Sequence, residues 1–291
     1  MNNKKQKEKK VYKKVVKKSK YWPIVKLFLN RQKFMDEVSL ISQKKLKKKL
    51  KEKSIIEEIK NTLYREKLRI SRIQWKADPA DDKIFWSNIE KEIENINYDE
   101  NISILEQKLL SKIIDRYTKE ITGNFKKIHY GFTRRLIITF FARLLNTARL
   151  RNPFGNLDLD SKIEIIGEKE KLRKLSKIGT IVMVPTHFTH LDSALIGWTI
   201  SHLGLPAFMY GAGLVLYNMN LFSYFLNSLG AYKVDRRKKH LLYLETLKTY
   251  TKQAIINDCH NLFYPGGTRS RSGSIEKKLG INASVLYSRI K

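Results

Sequence analysis

The chain has 291 residues, with 58 Lys or Arg against 28 Asp or Glu, a formal net charge of +30. So basic a balance calls for a partner of negative sign, an anionic lipid surface or nucleic acid, although an AT-rich coding composition leaves the same excess behind. Cys259 is the sole cysteine, which excludes an intrachain disulfide and a cysteine metal cluster and fits a reducing compartment.

Residues 1–53 hold 20 Lys or Arg against 4 Asp or Glu. Residues 1–20 of this run have too little apolar content to build a core and are expected to be a disordered basic tail. Tyr21 to Asn30 is too short for a signal peptide and is interrupted by Pro23 and Lys26. The spacing of Ile55, Ile59, Leu63 and Ile70 predicts amphipathic helix within residues 24–75. Lys44 to Leu50 reads as a basic helix that suits an anionic bilayer and a solvated face equally. The segment from Ala77 to Asp82 breaks the pattern, which resumes from Ile84 to Ile121. Residues 132–148 combine aromatic and aliphatic bulk with Arg134, Arg135 and Arg143. Two readings stand for them: a helix docked beneath a sheet, or one dipping into a membrane interface.

The turn from Asn152 to Asn156 is the expected domain boundary, with a helical region over 21–150 and an α/β domain over 151–291. Strands are predicted at 163–166, 180–184, 207–210, 231–234 and 261–264, and helices at 193–203, 216–229 and 239–257. That alternation predicts an α/β fold, a largely parallel sheet flanked by helices and preceded by a helical N-terminal region. The longest apolar stretch, Ala194 to Leu216, is broken by His202 and Pro206 and is no clean membrane span.

Three predicted strand ends carry unusual residues, and strand carboxyl ends in a parallel sheet share one edge. The first holds His187 and Asp192. A carboxylate five residues on can turn back to one ring nitrogen and leave the other as an oriented base. Taken alone, a turn histidine beside a helix-capping aspartate is common. The second is Val234-Asp235-Arg236-Arg237. The third runs from Tyr264 to Gly273, where Gly266 and Gly267 permit close backbone approach. Arg269 and Arg271, with the hydroxyls of Thr268 and Ser270, suit a phosphate. A surface Ser/Arg loop is the plain alternative for that stretch. His187, His190 and Asp192 can be drawn as a metal site, but a helix-start turn aims them poorly at one ion, and no metal is expected.

Together and in this order the three elements resemble the glycerolipid acyltransferase superfamily. Its H-x-x-x-x-D motif is matched from His187 to Asp192. Its G-x-x-[FIV]-[IV]-[DR]-R motif resembles Gly230 to Arg236, and its F-x-E-G-x-R-S-R motif resembles Tyr264 to Arg271. The span from Leu205 to Arg237 looks most like the glycerol-3-phosphate and dihydroxyacetone-phosphate acyltransferase branch. Gly266 stands where the motif has Glu. A fourth, Pro-containing strand of the family is not found before Lys291, so the α/β domain is expected to be incomplete at its C-terminus.

The resemblance implies His187 as base, Asp192 as its partner, and a phosphate site from Arg236, Gly267, Thr268, Arg269 and Arg271. It implies acyl-CoA or acyl carrier protein as co-substrate, glycerol 3-phosphate as acceptor, no cofactor, and a peripheral place on the cytoplasmic face of an anionic membrane. Lysophosphatidic acid as acceptor is the nearest alternative. A non-catalytic basic protein binding membrane or nucleic acid is the other. The Tyr and Phe residues of 208–232 read as core or acyl-pocket lining rather than base-stacking platforms, so no specific nucleic acid is expected.

Overall fold

The computed structural model describes residues 12–50, 54–72, 74–95, 102–145, 163–189 and 191–266. Helices dominate the first half: α1 (Pro23–Leu29), α2 (Arg31–Lys49), α3 (Ile55–Arg72), α4 (Asp82–Glu94), α5 (Ile102–Ile121) and α6 (Lys127–Leu145). Their apolar spacing explains them. On α5 the side chains of Leu109, Leu110, Ile113, Ile114, Tyr117 and Ile121 recur at three and four residues and all are buried.

The second half alternates helix and strand: α7 (Lys169–Ile178), β1 (Val182–Met183), α8 (Leu191–His202), β2 (Met209–Gly213), α9 (Asn220–Leu229), β3 (Ala231–Val234), α10 (Leu241–Ile256) and β4 (Asn261–Leu262). The strands form one sheet in the order β1-β4-β2-β3, and every pairing is parallel. The fold is therefore α/β with a helical N-terminal region, as the alternation predicts. All four strand carboxyl ends lie along one edge.

Two glycines let the layers close. Gly230 ends α9 in the left-handed region at φ 93°, and its N–H reaches back to the α9 carbonyls. Gly123, between α5 and α6, lies so near β3 that a Cβ there would sit 2.1 Å from the Ala231 carbonyl oxygen. The helices and the sheet then share one core: Phe34 of α2 meets Tyr250 of α10 at 5.2 Å between ring centroids, and Tyr117 of α5 meets Tyr243 at 5.4 Å.

Several expectations shift. Residues 163–166 form no strand. Ile163 and Ile165 alternate inward, but they pack on Trp198 and Ala142 with no ladder partner among the described residues, so alternation there reports helix packing. The predicted helix 216–229 is two pieces, a 3₁₀ turn at Leu214–Asn218 and α9. Residues 12–20, grouped by composition with the disordered tail, are held in place. Val15 N–H bonds the Gly204 carbonyl at 2.8 Å, and Tyr12 and Val15 pack beside Leu203 and Leu205.

Candidate active site

β1 delivers the chain to the turn before α8, and the turn is organised by one carboxylate. Oδ2 of Asp192 accepts the Phe188 N–H at 2.6 Å and the Thr189 N–H at 2.8 Å, and faces Nδ1 of His187 at 3.2 Å. α8 begins at Leu191, so Asp192 lies inside its first turn and reaches back rather than capping from outside. Burial works against the Asp192 charge; the Thr189 and Phe188 N–H groups and His187 outweigh it and hold the carboxyl below its ordinary range. An ionised carboxylate only accepts, so it selects the His187 tautomer with the proton on Nδ1. Nε2 then carries the lone pair.

The ring is fixed from a second side. Tyr264, just past β4, stacks on His187 with centroids 3.9 Å apart and planes at 22°. The Tyr264 Oη pairs with Ser193 Oγ at 3.0 Å, tying the loop after β4 to α8. Burial pushes the Tyr264 phenol up, so it stays neutral around its partner. Sequence reasoning reached Tyr264 only as the first residue of the third motif. Its signal was the adjacency of β1 and β4, which no local pattern reveals.

At the far side of the sheet, the two consecutive arginines after β3 part company. Arg237 is committed: it donates to both oxygens of Asp235, pairs with Asp78, and stacks on Trp75 at 3.7 Å. Arg236 is exposed at the same carboxyl edge as His187. β3 lies three strand positions from β1, a spacing of ~14 Å, so His187 and Arg236 share an edge without touching. Gly267, Thr268, Arg269, Arg271 and His190 lie outside the described residues. A cleft of about 290 Å³ opens at the ends of β2 and β3, lined by Asp78, Arg116, Lys119, Glu120, Lys233 and Asp235. It sits away from His187, and its acids are taken up in ion pairs with Arg237, Arg116 and Lys238.

The described residues thus place an imidazole, oriented by a carboxylate, at the carboxyl edge of a parallel sheet, an arrangement suited to taking a proton from a bound hydroxyl. Residues 166–286 match the family described as Acyltransferase, in accord with the glycerolipid acyltransferase superfamily that the three motifs resemble. A segment of 128 residues, 41% of the chain, is 32% identical to a protein of Caenorhabditis elegans named "Probable glycerol-3-phosphate acyltransferase, mitochondrial". The match spans 18% of that relative's length.

Proposed function

We propose that the protein is an O-acyltransferase that moves a fatty acyl group from a thioester, acyl-CoA or acyl carrier protein, to the sn-1 hydroxyl of glycerol 3-phosphate. The observation that carries this reading is the His187–Asp192 pair within a stretch of acyltransferase sequence. Nε2 of His187 removes the hydroxyl proton as the oxygen attacks the thioester carbonyl. The carbon–sulfur bond breaks, and the thiolate takes the proton from the imidazolium, so acyl ester and free thiol result. Asp192 stays ionised throughout and stabilises the imidazolium. Arg236, with Arg269, Arg271, Gly267 and Thr268 of the third motif, holds the acceptor phosphate, and no metal or bound cofactor takes part. The work is done on the anionic surface of a membrane, where the basic charge and the lipid product both favour residence.

The test is acyl transfer by the purified chain with a labelled thioester donor and either glycerol 3-phosphate or lysophosphatidic acid as acceptor. His187→Ala is expected to lower turnover by ~10²–10⁴-fold with an unchanged circular dichroism melt. Near-parental turnover in that variant overturns the assignment. Preference for lysophosphatidic acid moves the acceptor.

A further inference from the structure

We infer that one continuous face, formed by α6 with the exposed edges of α8 and α9, is the surface on which this protein lies against an anionic lipid bilayer. On α6 the residues Ile128, Phe132, Leu136 and Phe140 recur every four positions and all face solvent, Ile128 at 87%, Phe132 at 61% and Phe140 at 67% exposure. Burial explains why they point outward. The opposite side of α6 is already used: Ile138 and Ala142 pack on Ala194 and Trp198 of α8, and Arg134 bonds Ser201. A helix that satisfies one side on the core and leaves a four-residue apolar stripe on the other has a second partner to meet.

The stripe does not stop at α6. His129 meets the ring of Tyr224 on α9 at 5.4 Å, and Leu221, one turn before Tyr224, is 63% exposed. At the other end, α6 packs on α8, where Leu191 and Leu195 share an exposed face with Phe188 of the His187 turn. Apolar groups thus run from α9 across α6 to the rim of the catalytic turn.

Charge identifies the occupant. α6 carries four cations and no carboxylate, and Lys126, Lys127, Arg135 and Arg143 are exposed around the stripe. No Asp, Glu, Lys or Arg occurs from Ser193 to Tyr232, so α9 and the body of α8 add apolar area without adding a negative charge. Among the described residues the apolar side chains are rimmed by cations, and the one carboxylate at the edge, Asp192, is turned back onto the Phe188 and Thr189 N–H groups, so the face matches an anionic headgroup layer over acyl chains. No helix of the described residues is long and apolar enough to cross a membrane, so the contact is a lying one. The inference specifies the surface for the membrane residence proposed above, and its test does not depend on turnover.

The experiment is sedimentation of the full chain with vesicles of phosphatidylcholine containing phosphatidylglycerol, and with phosphatidylcholine alone. The parent is expected to bind the anionic vesicles and to lose binding as salt rises. The double variant F132D/F140D should partition at least about tenfold more weakly, because two exposed rings no longer enter the interface. Ile84→Asp, on the exposed face of α4, should bind like the parent, and so should His187→Ala. Equal vesicle binding by F132D/F140D and the parent overturns the proposal. So does a self-association of the parent, seen by analytical ultracentrifugation and abolished in F132D/F140D, in the absence of vesicle binding, since the face would then belong to a second copy of the chain.

Discussion

At the scale of single residues, the strongest commitments are buried charges away from the His187 turn. Glu66 on α3 accepts from Arg69 Nε at 2.6 Å and Tyr117 Oη at 2.8 Å, lies 3.0 Å from His240 Nε2, and is 3.4 Å from Lys238. Burial opposes its charge, yet Lys238, His240 and Arg69 outweigh that cost and hold the carboxyl far below its ordinary value. Removing one member of such a set strands the others, so Glu66→Gln is expected to destabilise the protein by about 3 kcal/mol in urea unfolding. The sign with pH follows. A carboxyl lowered by folding contributes fully above its unfolded value and less as pH falls toward the folded one, so stability should drop as the pH goes below the ordinary carboxylate range, ~4. A melting temperature that is flat from neutral pH down to ~3 would contradict this. Asp192 is the counterpart at the site: Asp192→Asn keeps an acceptor for the turn but loses the charge behind the imidazolium. Turnover is expected to fall ~10²-fold or more with little change in the melt.

Elements are positioned by a few contacts whose necessity is geometric. Gly123 is the clearest, because a methyl group there would meet the Ala231 backbone rather than a side chain able to move. Gly123→Ala is expected to cost about 2 kcal/mol, within the usual range for overpacking, and calorimetry would measure it. Tyr264 acts between elements, binding the β4 loop to the α8 turn through its ring and its hydroxyl. Tyr264→Phe keeps the ring against His187 and should retain most turnover. Tyr264→Ala removes the stacking surface and should lower turnover about tenfold at unchanged acceptor KM, since the ring orients the base and not the phosphate. Equal activity of the two variants would deny the ring that role.

Over the whole molecule, the helical region and the sheet cannot be treated as two independent bodies. The inner face of α10 is buried against α2 and α5, where Phe34, Tyr117, Tyr243 and Tyr250 interdigitate, and Lys45 Nζ reaches Thr249 Oγ1 at 3.1 Å. The boundary expected at residues 152–156 lies outside the described residues, and a cut there is not expected to give two stable pieces. A fragment beginning at residue 151 should show a molten or aggregated state by near-ultraviolet circular dichroism and light scattering, because it exposes that face of α10 to water. A cooperative unfolding transition in the fragment would refute this.

Local chemistry was readable from the chain itself. Helical spacing in α3 and α5, strand–helix alternation after residue 180, and the five-residue offset of His187 from Asp192 are short-range patterns, and each produced the structure expected of it. Where a pattern had two physical causes the chain was mute: the inward alternation of Ile163 and Ile165 serves helix packing as well as it would serve a ladder, and among the described residues it is their packing on Trp198 and Ala142 that separates the two. The strand order was equally hidden, because parallel pairing joins residues nearly eighty apart, as with Val182 and Asn261. That order sets Tyr264 upon His187 and puts Arg236 across the sheet. Long-range burial likewise decided which of two neighbouring arginines is locked in an ion pair and which faces water, and which side of α6 packs on α8 and which is exposed.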